Sequence, residues 1–225
     1  MTQTHDRKAG FSLKALFISL FFSFLLILFI VPVLTKALET GTTSRLLANG
    51  TGIYKSLFAE IADVQASLYS EATVALPQSS THPTDPKLEF ETSTDYFVFL
   101  VSNDIISVNW SYFAGHDIPA AIGKFDPEDL SSIANFKAEN NAWVVVADLE
   151  VDDTGSPFLI TKNLQGHSLE DHFGDEEAPI VTGPPYGKKQ LAIIRIGGSG
   201  EYMTKRNILW KNINPNETDN LILRP

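Results

Sequence analysis

The feature that most constrains this chain is a continuous apolar segment near its N-terminus. Residues 15–35, ALFISLFFSFLLILFIVPVLT, include no charged side chain. About 20 consecutive apolar residues form a helix that is long enough to cross a bilayer. Phe, Leu and Ile surround the whole circumference of this helix, whereas a helix on a small domain has one apolar stripe. A cleavable secretory signal has an apolar region of only about 7–15 residues. The favoured interpretation is therefore a membrane-inserted helix.

The charges that flank the apolar segment predict its orientation. Arg7, Lys8 and Lys14 precede it, against the single acidic residue Asp6. Basic residues on the N-terminal side favour a cytoplasmic N-terminus. The sequence therefore predicts a single-pass inner-membrane protein whose C-terminal domain is periplasmic or extracellular.

The composition excludes several classes of protein. The chain has 17 Lys and Arg against 27 Asp and Glu, a formal net charge of −10, which argues against a nucleic-acid binder. It has no cysteine, so disulfides, thiolate zinc sites and cysteine nucleophiles are excluded. A hydrophobic content of 44% with 20% charged residues argues against a disordered chain.

After the apolar segment, residues 36–76 have the pattern of a helical stem. Apolar residues recur there at spacings of mostly three, four or seven, which predicts one apolar stripe. These residues are Leu46, Ile53, Leu57, Ile61, Val64 and Leu68. Gly41, Gly50 and Gly52 each weaken a helix by about 1 kcal/mol relative to alanine. The portion 53–70 is therefore the more secure part of the predicted stem.

The remainder, residues 77–225, is predicted to form a small globular domain. Residues 77–92 have three prolines and several Ser and Thr residues, which indicates a loop. The cluster Ser93-Thr94-Asp95 is typical of a helix N-cap and favours a short helix over a strand for the apolar run that follows. Residues 105–113 are expected to be extended or irregular.

The strand signals come late in the chain. Four segments are rich in β-branched or aromatic residues and are separated by turn-rich connections. They are residues 142–149, 157–161, 191–196 and 201–204, the last two joined across the Gly-Gly-Ser-Gly turn at 197–200. Residues 221–223 of the tail are also expected to be ordered. The predicted fold class is α+β, a long N-terminal hydrophobic helix and helical stem followed by a small antiparallel sheet.

The N-terminus resembles a type IV prepilin signal, in which a short basic leader ends in Gly and precedes a long apolar helix. The residues that carry the resemblance are Arg7-Lys8-Ala9-Gly10-Phe11-Ser12-Leu13. It implies a leader of residues 1–10, cleavage by a prepilin peptidase after Gly10, and Phe11 as the first residue of the pilin-type helix 11–35. Pro32 lies at the offset where many pilins have a helix-kinking proline, and proline inside a helix removes a hydrogen bond.

The rest of the chain is similar to prepilin-like proteins of the Verrucomicrobia–Lentisphaerae type. The similar segments are residues 140–149, 157–164 and 189–199. The resemblance implies a structural subunit of a type IV pilus or a type II secretion pseudopilus, with no cofactor, whose partners are the membrane, the prepilin peptidase and other pilin or pseudopilin subunits.

One position departs from the family pattern. Most family members have Glu four residues after the first mature residue, where this chain has Ala15, preceded by Lys14. This departure favours a minor subunit. The alternative is a single-pass, membrane-anchored binding module that does not assemble into a filament.

Candidate sites for chemistry are few. No nucleophile–base signature and no Gly-x-Ser-x-Gly motif occurs, so an enzyme is not expected. The turn at 197–200 falls short of a phosphate-binding loop and is interpreted as a hairpin turn. Trp110, Tyr112 and Phe113 fit core aromatics better than a recognition patch.

Two acidic clusters are weak metal candidates. Asp148, Glu150, Asp152 and Asp153 provide oxygen ligands that could hold Ca²⁺, although a solvated turn between strands is favoured. A second cluster could bind zinc through imidazole and carboxylate, but a solvated loop is again favoured. Its residues are His167, Asp171 and His172, followed by Asp175, Glu176 and Glu177.

The leader resemblance generates the first prediction. We expect Gly10→Val to block cleavage, because a bulkier residue before the scissile bond should not fit the peptidase. Mass spectrometry of the N-terminus should then show the uncut chain, whereas the natural chain should begin at Phe11. An identical N-terminus in both proteins would exclude this cleavage site.

Overall fold

One long helix, α1 (Leu13–Ala66), precedes a five-stranded antiparallel sheet. This arrangement comes from a computed structural model that describes residues 13–66, 76–78, 88–126, 129–169, 174–187 and 190–225. The chain divides into two compact units between Gly41 and Thr42. The α+β fold class expected from the sequence is confirmed.

Helix α1 continues through Pro32 without a break in its assignment. Proline has no N–H to donate, so the ladder bond to the carbonyl of Leu28 is missing. The hydroxyl of Thr35, one turn later, lies 3.0 Å from the carbonyl oxygens of both Val31 and Pro32. The kink expected at Pro32 stays a prediction.

The stem portion of α1 is helical from its first residues, although glycines there favour a weaker helix. Gly41, Gly50 and Gly52 all lie inside the helix, so the weakness predicted for this part is overridden. The first three stripe residues, Leu46, Ile53 and Leu57, are buried in the core. The side chains of Ile61, Val64 and Leu68 lie outside the described residues. Packing of this apolar stripe supplies the stability that the glycines remove, because tertiary contacts routinely outweigh propensity.

The sheet has the strand order β4-β3-β2-β1-β5, and every neighbouring pair is antiparallel. The strands are β1 (Trp143–Val146), β2 (Pro157–Thr161), β3 (Gln190–Arg195), β4 (Gly200–Thr204) and β5 (Ile222–Leu223). The strands predicted from the sequence are thus confirmed. All residues of β1 and β2 are buried. Both faces of the central sheet are therefore covered, which explains why these strands read as continuous apolar runs instead of alternating.

Helix α2 (Ser93–Ser102) confirms the short helix expected after the loop. Its N-cap is Thr92, one residue before the predicted cluster. The Thr92 hydroxyl accepts the Asp95 N–H at 3.0 Å and donates to the Asp95 carboxylate at 2.7 Å. The Ser93 hydroxyl donates to the Trp143 carbonyl at 2.9 Å and so joins the helix to β1.

The tail is fixed by side chains that bind backbone carbonyls. The Asn220 amide donates to the carbonyls of Ala147 and Asp148 at 2.9 and 2.8 Å. The Arg224 guanidinium donates to three carbonyls at 2.8–3.0 Å, those of Lys162, Leu164 and Gly166. The Asn220 bonds hold the tail beside the end of β1, and the Arg224 bonds hold it to the segment that follows β2. A short helix, α3 (Trp210–Ile213), precedes this tail.

The two helical glycines Gly41 and Gly50 should respond oppositely to alanine. A β-carbon on Gly50 would lie 2.8 Å from side-chain atoms of both Ile194 and Trp143, whereas one on Gly41 would meet nothing within 4 Å. Overpacking costs about 1–3 kcal/mol, and alanine in an open helical position gains up to about 1 kcal/mol. We expect Gly50→Ala to lower the unfolding midpoint of the detergent-solubilised chain and Gly41→Ala to leave it unchanged or raise it. Equal midpoints for both variants would contradict the close contact.

Candidate functional site

The first part of α1 exposes an unusually apolar surface. Leu13–Thr35 is 23 residues long with a mean hydropathy of 2.9, and its most apolar window has no buried residue. Bulky side chains such as Phe17, Phe29 and Val33 are each about two-thirds exposed. An apolar surface of this extent is stable in lipid or against other apolar helices. This helix is long and apolar enough to span a membrane.

The residues at the start of the apolar segment lie partly outside the described chain. Gly10 and Phe11, the predicted cleavage site, fall before its first described residue, so cleavage stays a prediction. Lys14 and Ala15 are both exposed on the first turn of α1, and this turn has no acidic residue.

The stem portion of α1 packs on the sheet at Gly50 and on Tyr112 at Gly52, and both contacts require glycine. Besides the Gly50 contact with Trp143, the Tyr112 hydroxyl occupies the position that a β-carbon would take on Gly52. The Asn49 side-chain amide donates to the Tyr112 carbonyl at 2.8 Å. The α1 backbone at Gly50 and Gly52 therefore lies closer to the Trp143 and Tyr112 side chains than any residue with a β-carbon would allow.

The Gly-rich turn at 197–200 also faces the stem. Gly197 and Gly198 have φ of 99° and 81°, the left-handed region that favours glycine. The Gly197 N–H donates to the Tyr54 hydroxyl at 2.9 Å, and a β-carbon on Gly198 would lie 2.8 Å from the Tyr54 ring. The hairpin interpretation of this turn is confirmed. The sequence did not predict that this turn also contacts the stem through Tyr54.

Two tyrosines lie beside the start of the stem. The Tyr202 hydroxyl donates to the Thr43 carbonyl, and the Tyr186 ring packs edge-on against Tyr202 with centroids 6.5 Å apart. Burial raises the pKa of Tyr202 to about 12. Burial also raises the pKa of Tyr186, with a smaller contribution from Tyr202. Thr43, Tyr186 and Tyr202 lie far apart in the sequence, so no local pattern predicts that they come together.

A buried cation joins three further elements. The Arg195 guanidinium pairs with the Glu201 carboxylate and donates to the carbonyls of Gly155 and Ile213 at 2.7 and 3.1 Å and to that of Asn212. A buried charge is tolerated when it is paired and its hydrogen bonds are satisfied. Arg195 therefore has a structural role, linking β3 to β4 and to the end of α3.

The four calcium candidates are not brought into one site. The Asp153 carboxylate accepts the Glu150 N–H at 2.6 Å and closes the turn after β1. Glu150 and Asp152 are exposed, and Asp148 adopts φ 59° while its N–H donates to the Pro77 carbonyl. Within the described ranges, no three His, Cys, Asp or Glu residues are grouped to hold a metal.

The histidine cluster is only partly described. His167 is exposed, and its carbonyl accepts the Ile222 N–H at 2.9 Å. Asp171 and His172 lie outside the described residues. The Asp175 carboxylate pairs with Lys211, and Glu176 and Glu177 are exposed. The zinc interpretation of this loop stays a prediction.

The aromatic residues near position 110 belong mainly to the core. Trp110 and Phe113 are fully buried and lie in a 3-10 turn, Trp110–Phe113, instead of an extended segment. The Trp110 ring stacks on Phe136 with centroids 4.9 Å apart, and its N–H donates to the Ser132 carbonyl at 3.1 Å. The core interpretation is thus confirmed for these two residues, whereas Tyr112 is half-buried and contacts the stem.

No known family model, curated protein or solved structure matches this chain.

The tyrosine cluster predicts a loss of stability in alkali. Folding raises the pKa of Tyr186 and Tyr202 above the ordinary value of 10, so the folded chain holds these protons more tightly than the unfolded chain. This contribution is complete below pH 10 and is lost as the pH rises toward about 12. We expect a shallower alkaline fall in the free energy of unfolding for Tyr186→Phe, measured by urea titration. An unchanged slope would show that Tyr186 is not the source.

Proposed function

We propose that this chain is a prepilin-like subunit, a minor component of a type IV pilus or of a type II secretion pseudopilus. The observation that carries the proposal is helix α1. Its first part, Leu13–Thr35, is apolar on all sides, and its later part packs on a small antiparallel sheet. A single element thus provides both an anchor and a support for the outer domain.

The leader pattern supports the order of events in this proposal. The N-terminus lies in the cytoplasm because basic residues precede the apolar segment. The prepilin peptidase hydrolyses the peptide bond between Gly10 and Phe11. The apolar helix then moves from lipid to a bundle of similar helices, where van der Waals packing takes the place of lipid contacts. Transport or adhesion follows from assembly, with no catalytic group required.

The first turn of α1, which has no acidic residue, supports a minor role for the proposed subunit. A new N-terminal amine in an apolar filament core needs a partner, because an unpaired buried charge costs several kcal/mol. Ala15 provides no carboxylate, and Lys14 adds a second cation. A filament of this chain alone would repeat unpaired cations along its core. One copy beside subunits that supply carboxylates, or at a filament tip, avoids this cost.

The same two residues favour the second candidate function. If Lys14 and Ala15 prevent assembly, the chain remains a membrane-anchored binding module that uses its outer domain to hold a partner. With the full set of pilin subunits present, a subunit should appear in the purified filament fraction. Retention in the membrane fraction alone would favour the anchored module.

The assembly prediction is tested with the peptidase and assembly platform but no other pilin. We expect electron microscopy to show no filaments of the natural chain and to show filaments of Ala15→Glu, because the new carboxylate pairs with the N-terminal amine. Ala15→Gln is the matched control, since it has nearly the same shape without the charge. Abundant filaments of the natural chain would overturn the minor-subunit proposal, and filaments of Ala15→Gln would contradict its electrostatic cause.

A further inference from the structure

The two edge strands of the sheet differ in how their outer sides are covered. Residues 167–169 lie along the outer side of the short strand β5. There the Ile222 N–H donates to the His167 carbonyl and the Leu169 N–H donates to the Asn220 carbonyl, both at 2.9 Å. The other edge strand, β4, has five residues and pairs with β3 on one side. In the described part of the chain, β4 is therefore the open edge of the sheet.

The strand register determines which backbone groups of β4 face away from the sheet. The Ala192 N–H points toward β2, where it donates to the Thr161 hydroxyl at 3.1 Å. Backbone groups of successive residues point to opposite sides of a strand, so Ile193 faces β4 and its partner Glu201 faces β3. The residues of β4 whose N–H and C=O groups point outward are Gly200, Tyr202 and Thr204.

These outward backbone groups are accessible to a partner. Among the residues that the structure describes, no other backbone group bonds to them. Gly200 and Thr204 are exposed, and the exposure of Gly200 is that of its backbone because glycine has no side chain. The stem covers one face of β4 and leaves the edge open, since a β-carbon on Gly200 would lie 3.0 Å from the Thr51 hydroxyl.

Strand β4 lacks the features by which proteins protect an open edge. Proline, a bulge or an unpaired charge on the edge strand usually prevents another strand from pairing. The register between β4 and β3 is continuous over all five residues of β4, and its sequence, Gly-Glu-Tyr-Met-Thr, has no proline. Its one charged residue, Glu201, is paired with Arg195. This paired carboxylate therefore does little to repel an incoming strand.

Basic residues follow β4 directly. Lys205 and Arg206 are both exposed and form no ion pair with another described residue. They are a local exception in a chain whose formal net charge is −10. Charges more than about 8 Å apart are largely screened at physiological salt, so these two cations act mainly on what lies beside β4. The first residues of an antiparallel partner strand would lie next to them.

We propose that β4 is a docking edge for an extended acidic segment of a partner protein, which adds a strand antiparallel to β4. The outward N–H and C=O groups of Gly200, Tyr202 and Thr204 bind the backbone of this segment. Lys205 and Arg206 select a segment that begins with acidic residues. An extended strand is the structure whose backbone groups match this spacing. The inference holds whether or not the chain assembles into a filament.

The first test titrates fluorescent peptides onto the full chain in nanodiscs of zwitterionic lipid and follows their anisotropy. The probe begins with two glutamates and continues as alternating valine and threonine, which favour an extended backbone. One control peptide begins with two lysines instead, and another has its backbone N–H groups methylated. We expect saturable binding of the acidic probe alone. Absence of saturable binding, or equal binding of either control peptide, would overturn the proposal.

Substitutions in the chain test the same contacts. Thr204→Pro removes one outward N–H and leaves the pairing of Glu201 with β3 in place, whereas the matched control Thr204→Ala keeps that N–H. We expect Thr204→Pro to bind the acidic probe about fivefold more weakly than Thr204→Ala, the change expected for one hydrogen bond. The double variant Lys205→Glu, Arg206→Glu should prefer the lysine peptide. Equal affinities of the two Thr204 variants, or an unchanged peptide preference of the double variant, would contradict the proposal.

Hydrogen exchange on the natural chain gives a readout that needs no substitution. The acidic probe should slow exchange at Gly200, Tyr202 and Thr204 and leave Glu201 and Met203, which face β3, unchanged. Uniform slowing along β4, or none, would count against strand addition. A peptide-free dimer that Thr204→Pro disrupts would assign the edge to a second copy of this chain and would also overturn the proposal.

Discussion

The contact between Gly50 and the sheet is the constraint on which the packing of the outer domain depends. A glycine at this position lets the backbone of α1 approach Trp143 and Ile194, where a β-carbon would lie 2.8 Å from both side chains. Glycine lowers the intrinsic stability of the helix, and burial of Leu46 and Ile53 on either side offsets that loss. Gly50 is thus a poor helix former that nevertheless lets the stem pack closely on the sheet.

The sequence predicted the elements whose signals are local. Strands β1 to β3 were found because both faces are buried, so their residues form short apolar runs. Helix α2 was found from its polar N-terminal cluster, although Thr92 and not Ser93 is the cap. The bonds of Asn220 and Arg224 were not predictable, because a side chain that binds a carbonyl 58–73 residues away leaves no periodic pattern.

The same distinction applies to the candidate site. The apolar segment was evident from the sequence, because the hydropathy of a membrane-spanning helix is the sum of the contributions of its individual residues. The hydrogen bond from the Tyr202 hydroxyl to the Thr43 carbonyl was missed, because 159 positions separate the two residues. Gly41 and Gly50 look alike in the sequence, and only the contacts of Gly50 with Trp143 and Ile194 distinguish the closely packed position from the open one.

The wide sequence separation of the stem contacts determines the order in which the outer domain can fold. The stem is synthesised before every strand, yet Tyr54 contacts a turn 143 residues later. Until the strands emerge, Leu46, Ile53 and Leu57 have no sheet to pack against. Long-range contacts of this kind slow folding because loop closure precedes any gain from contact. The emerging chain therefore passes through a stage in which the apolar stripe of the stem is exposed. At that stage we expect the stripe to bind a chaperone or the bilayer surface.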